Sequence, residues 1–146
     1  MKVTILLADA AQVSEGKLHL LGGNWRLTNG RSQSAVVLLL DAHWNEGNRE
    51  LQVFVELVDV DGNVFIATFA EGPVPQQYHF QCNLIKLAEL PSGSNLSETY
   101  VLNIPPLMAL KPRHCYEWRC SIDGIFMASR SFITQPALPT SNLSDP

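Results

Sequence analysis

The sequence predicts an all-β domain, built as an antiparallel β-sandwich of about eight to nine strands. Three observations carry that expectation. Tyr116, Trp118, Cys120 and Ile122 alternate with Glu117, Arg119, Ser121 and Asp123, the period-2 pattern of a strand with one buried and one wet face. Asp123-Gly124 then supplies a tight hairpin turn, and a second strand from Ile125 to Thr134 runs back. Elsewhere short apolar runs are separated by turn signals, and no stretch of about twelve residues repeats with a helical period. A closed barrel is the alternative architecture.

The elements follow in order. Strand one is Lys2 to Ala8, and Ser14-Glu15-Gly16 is a turn. Strand two starts at Lys17 and runs to about Thr28, with Gly22-Gly23 marking a bulge before Trp25. Asn29-Gly30 is a turn and Arg31 to Ser34 a loop. Strand three, Ala35 to Ala42, is nearly all apolar. It is a central strand covered on both faces, or one whose outer face meets a partner.

Asn45-Glu46-Gly47-Asn48 is a polar turn with room for one helical turn. Strand four, Glu50 to Val58, sets Leu51, Val53, Val55 and Leu57 against Gln52, Phe54, Glu56 and Val58. After the Asp61-Gly62-Asn63 hairpin, strand five returns from Val64 to Ala70 with apolar residues on both faces. Glu71 to Gln77 is a proline-bearing loop, and strand six runs from Tyr78 to about Ala88. Pro91 to Glu98 is a polar turn region, and strand seven, Tyr100 to Ile104, stops at Pro105-Pro106. One domain over residues 1–134 is expected, followed by a disordered proline-rich tail, 135–146.

The totals bound the function. A chain of 146 residues forms one domain and buries roughly 68–70% of its unfolded surface, enough to fold without metal or disulfide. Charged residues are 16% of the chain, against about 25% in typical globular proteins. That deficit fits self-association or a partner surface. It equally fits a β-rich chain that uses Ser, Thr, Asn and Gln where a helical one uses Glu and Lys. Net charge is −4 and the basic residues are scattered in sequence, so no stripe for phosphate tracking is visible. Nucleic acid and membrane are not expected partners.

The apolar run Val3 to Ala8 is too short for a secretory h-region, and no run nears the ~20 apolar residues of a membrane span. Three cysteines without framework spacing suit a reducing compartment, so a cytoplasmic location is expected. Cys82 reads as a small core residue. The sequons at Asn95 and Asn142 read as coincidental.

Leu110, Pro112, Tyr116, Trp118, Ile122-Asp123-Gly124 and Phe132 together resemble the last hairpin of bacterial immunoglobulin-like and fibronectin-like sandwiches. The resemblance implies that Tyr116 forms a tyrosine corner. Such folds often carry a glycine in the preceding turn, where this chain has Arg113-His114. The whole chain more narrowly resembles a family of small uncharacterised bacterial proteins sharing a domain of unassigned function. The matching stretches are Leu7-Ala8-Asp9-Ala10-Ala11-Gln12, Gly16-Lys17-Leu18, Leu21-Gly22-Gly23 with Trp25, Trp44-Asn45-Glu46 with Asn48-Arg49, and Tyr116-Glu117-Trp118-Arg119 with Ile122-Asp123-Gly124. They lie between residue 7 and about 132. The resemblance implies an immunoglobulin-like sandwich and brings no activity or ligand residues with it.

Chemistry-bearing motifs are sparse. His19, His43, His79 and His114 show no metal-ligand spacing. No nucleophile elbow, phosphate loop or dinucleotide fingerprint occurs. Asp59-Val60-Asp61-Gly62-Asn63 faintly resembles a calcium loop, but Ala70 stands where the closing glutamate belongs, and a hairpin explains the stretch. Asp9 and Asp41 stand at strand ends and read as turn carboxylates. No catalytic residue, metal or cofactor is assigned, and the protein is read as a non-enzyme.

Binding candidates are aromatic. Trp25 stands beside Arg26, and Trp44 beside His43. Aromatic residues flanked by Arg or His at strand ends occur in contact patches and also as lids over a core. Phe54, with Phe65 and Phe69 across the hairpin, forms a candidate apolar interface strip. The favoured reading is a non-enzymatic module acting through protein–protein contacts, with a protein partner and self-association into a homo-oligomer. The alternatives are a small-ligand or carbohydrate-binding module using Trp25, His43 and Trp44 at one end, and a phage-like or particle-associated structural subunit.

Overall fold

The computed structural model describes residues 1–85 and 91–135. Among them are β1 (Lys2–Ala8), β2 (Ala10–Ser14), β3 (Lys17–Leu21), β4 (Leu27–Thr28) and β5 (Ser34–Ala42). A 3-10 turn (Trp44–Glu46) leads to β6 (Arg49–Asp59), β7 (Ile66–Phe69), β8 (Gly72–Pro75) and β9 (Gln77–Leu84). The last strands are β10 (Leu96–Ile104), β11 (Cys115–Ile122) and β12 (Ile125–Thr134). The chain is all-β with several antiparallel sheets. One sheet has the order β1-β5-β10 and a second the order β4-β12-β11-β6-β9; the hairpins β2–β3 and β7–β8 stand apart. The short β4–β12 contact is parallel and the other pairings are antiparallel.

The period-2 pattern decides what is buried. Val3, Ile5 and Leu7 of β1 and Val36, Leu38 and Leu40 of β5 face one core with Leu51, Val53, Val55 and Leu57 of β6. Tyr116, Trp118, Cys120 and Ile122 of β11 join the same cluster, so the expected alternation of that strand is the one observed. Burying this apolar surface is the main stabilising term of the fold.

β5 is central, as its unbroken apolar run predicts. Its outer face is covered too: Val37 is 0% exposed, and β2 lies against β5 and β10. For Val37 the covering element is the chain's own β2–β3 hairpin. That hairpin turns at Glu15-Gly16, both with positive φ (52° and 72°). β2 is too short, and too poor in large apolar residues, to stand out as a strand in the sequence.

Other elements depart from expectation. The strand expected from Lys17 to Thr28 is broken. Gly22 and Asn24 take left-handed φ values of 59° and 60°, and the chain leaves the hairpin to join the larger sheet at Leu27. Strand five starts later than expected. Val64 makes one bridge to Val58, Phe65 donates to the Leu57 carbonyl (2.8 Å), and the chain then leaves β6 as the β7–β8 hairpin. β8 contains Pro73 and Pro75, in the stretch expected to be a loop. Proline is tolerated there because the two-stranded hairpin has open edges.

β10 begins at Leu96, not Tyr100. Glu98 shares its inward-facing series with Leu96 and Tyr100, which hides the alternation. Of the expected strand six, residues 86–88 lie outside the described residues. So do 136–146 of the expected tail; Gln135 still donates its N–H to the Thr28 carbonyl (2.8 Å).

Candidate functional site

The aromatic candidates divide between the two ends of β5. Trp25 lies near Ser34, at the start of that strand, where its ring meets Phe132 edge-on (5.6 Å). Phe132 stacks on Tyr116 (5.8 Å), and Tyr116 receives Phe65 edge-on (5.7 Å). Phe65, Tyr116, Phe132 and Trp25 thus form a continuous aromatic chain across one end of the core. Trp25 and Phe65 act as a lid there rather than as exposed contact residues. Trp25 Nε1 is buried with no hydrogen-bond partner among the described residues. It adjoins a cavity of about 20 Å³ lined in part by Thr28, Ser32 and Ser34.

His43 and Trp44 follow Ala42, at the other end of β5. The geometry therefore does not assemble Trp25, His43 and Trp44 at one end. Trp44 packs against the core margin. His43 is exposed and lines a shallow dish of about 250 Å³ with Met1, Lys2, Asp41 and Asn95. Glu46 accepts the His43 backbone N–H (3.0 Å) and lies 3.3 Å from the Met1 amino group. These contacts hold its carboxyl below the usual carboxylate range, the backbone hydrogen bond being the larger cause.

The interface candidates also separate. Val58 is buried, and Phe65 and Phe69 pack against the core, so no strip joins them to Phe54. Phe54 stays half-buried on the outer face of the larger sheet. There it sits in a cross-strand row with His79, Ser121 and Phe126. Phe126 is 58% exposed, and the Arg119 guanidinium lies 5.9 Å from its ring centre.

The next row, Gln77, Glu56, Arg119 and Ser129, is polar. Glu56 accepts from Gln77 (3.2 Å), and Arg119 pairs with Glu117 (2.6 Å). The aromatic row is therefore an island on a polar face.

A feature that sequence spacing does not reveal lies where the sheets meet. β9 is an edge of the larger sheet and β10 an edge of the smaller, and the two run side by side. Between them is a groove of about 280 Å³ lined by Tyr78, His79, Phe80, Tyr100, Val101 and Leu102. Phe80 and Tyr100 meet at 5.2 Å, and the Tyr78 hydroxyl donates to Gln76 Oε1 (2.9 Å). Burial pushes the Tyr78 and Tyr100 hydroxyls above the usual tyrosine range, so both stay neutral donors. His79 belongs to both the groove and the Phe54 row, so the two surfaces are continuous.

The acids and thiols serve the fold. Asp59 Oδ1 accepts the N–H groups of Asp61 (2.9 Å) and Asn63 (3.0 Å), closing the hairpin turn. Asp41 accepts from the Ser97 hydroxyl (2.7 Å). Cys82 and Cys120 are buried, and burial raises both thiols, Cys120 to about 11. Among the described residues no three His, Cys, Asp or Glu side chains converge on one point, and no helix is long and apolar enough to cross a membrane.

Searches against protein-family models and curated protein sequences returned no match to this chain.

Proposed function

We propose that this chain is a non-enzymatic, immunoglobulin-like β-sandwich that works through protein–protein contacts, and that its partner is a second copy of itself. The observation that carries the reading is the β9–β10 seam. Two strand edges lie side by side over a groove floored by Tyr78, Phe80, Tyr100 and Leu102. Unpaired strand edges template further pairing, and aromatic groove residues supply contact area at low entropic cost. A two-fold axis beside the seam would let the same edge meet itself, which gives a closed dimer. The Phe54–Phe126 row extends this surface through His79.

The sandwich reading is supported by the shared core of the two larger sheets and by the Tyr116 turn, where the hydroxyl meets the backbone five residues upstream. A cytoplasmic location is supported by three free cysteines.

The testing variants are Val101→Lys, which places charge in the groove, and Phe54→Glu on the adjoining row. Both are expected to shift the protein toward monomer while keeping the melting temperature of a diluted sample. Assembly that survives both variants would refute the seam as the contact surface.

A further inference from the structure

We propose that the open edge of β12 beside Arg26, on the side of the core opposite the β9–β10 groove, is a binding site for an oxyanion: a carboxylate or phosphate group carried by a small molecule. The site brings together Arg26, from the segment before β4, and Arg130, from β12. They are far apart in sequence, and this is why the basic residues look scattered there. Both line a groove of about 440 Å³ with Ser129, Ser131 and Cys115.

Arg130 is pre-oriented. Its Nε donates to the Ile5 carbonyl (3.1 Å) and its Nη2 to Asn24 Oδ1 (3.2 Å). Three of the five guanidinium donors remain for a ligand. Tying the two sheets together accounts for Arg130's two bonds, but it does not account for Arg26.

Among the described residues neither guanidinium has a carboxylate within ion-pairing distance, although the chain is acidic overall. The nearest acid across the ladder, Glu117 opposite Ser131, is taken by Arg119 at 2.6 Å.

The backbone adds donors. β4 pairs with β12 only at Ile133 and Thr134, where the Ile133 N–H reaches the Arg26 carbonyl (2.8 Å). Peptides alternate in direction along a strand, so the N–H groups of Ser131 and Ser129 face the same open side as that of Ile133. Two planar cationic forks and edge N–H groups, with neither fork paired to a carboxylate among the described residues, are the donor set that oxyanions select.

The test is isothermal titration of the full chain with inorganic phosphate and, separately, with citrate. Ionic strength is held constant with chloride, and Arg26→Gln is titrated in parallel. Arg26 is exposed, so this variant keeps the fold even where Arg130→Gln does not. The expected result is saturable binding of at least one anion, weakened about tenfold or more in Arg26→Gln at an unchanged melting temperature. A response to phosphate alone assigns a phosphate ligand, and a response to citrate alone a carboxylate. No saturable heat with either anion, or equal affinity in the variant, would overturn the proposal. Neither outcome depends on the oligomeric state.

Discussion

The Tyr116 hydroxyl accepts the backbone N–H of Lys111 at 3.0 Å, which closes the turn that feeds β11. The turn is held from the other side by buried Thr134. Its Oγ1 accepts the His114 N–H (2.8 Å) and donates to the Lys111 carbonyl. Arg113 in the same turn adopts the left-handed conformation (φ 58°). Tyr116→Phe removes one hydrogen bond and keeps the ring between Phe65 and Phe132. It is expected to lower unfolding free energy by about 1 kcal/mol in urea titration. A neutral result would show that water replaces the tyrosine at no cost.

Gly30 is needed for two reasons at once. Its φ is +73°, and a Cβ built there would stand 2.6 Å from the Leu107 carbonyl oxygen. That carbonyl belongs to backbone, and Leu107 also donates its N–H to the Gly30 carbonyl (2.8 Å), so neither side yields easily. Gly30→Ala is expected to cost about 2–3 kcal/mol. Gly124→Ala, with a similar φ but open space around it, is expected to cost less, and equal losses in calorimetry would contradict this.

Glu46 makes stability pH-dependent in a defined direction. Its folded-state pKa lies below its ordinary value of 4.5, first through the His43 N–H and then through the Met1 amino group. Its contribution is therefore full above about pH 4.5 and is lost as pH falls through the lowered folded value. The melting temperature of Glu46→Gln should lie below that of the parent protein at pH 7, and the gap should close as pH falls through the lowered folded value. A gap that persists at the acid end would show that the charge is not responsible.

The thiols should react unequally. Cys115 is exposed, whereas Cys82 and Cys120 are buried and have raised pKa values. A disulfide reagent at pH 8 is expected to label Cys115 in the native protein and all three cysteines in denaturant. Rapid native labelling of Cys120 would mean that the β11 core opens readily.

The core was legible in the sequence wherever one residue in two is apolar. The faces of β6 and β11 follow from that period, the central place of β5 from its unbroken apolar run, and the start of β12 from the Asp123-Gly124 turn. Legibility failed where local pattern and tertiary role disagree. Inward-facing Glu98 disguises β10, prolines disguise β8, and Gly22 ends a strand instead of bulging it.

The candidate sites were less legible. Proximity between distant segments leaves no periodic trace, so sequence placed Trp25 with Trp44 and missed both Arg26 beside Arg130 and Tyr78 beside Tyr100. Proximity in sequence was equally misleading for Phe54 and Phe65, which one hairpin sends to different environments.

The most direct test of the central claim is solution mass by light scattering on an eluting sample, at two concentrations tenfold apart. Self-association through the seam predicts a defined dimer or larger species at the higher concentration, which Val101→Lys and Phe54→Glu convert to monomer. A clean monomer of 16.2 kDa at both concentrations would contradict self-association through the β9–β10 seam.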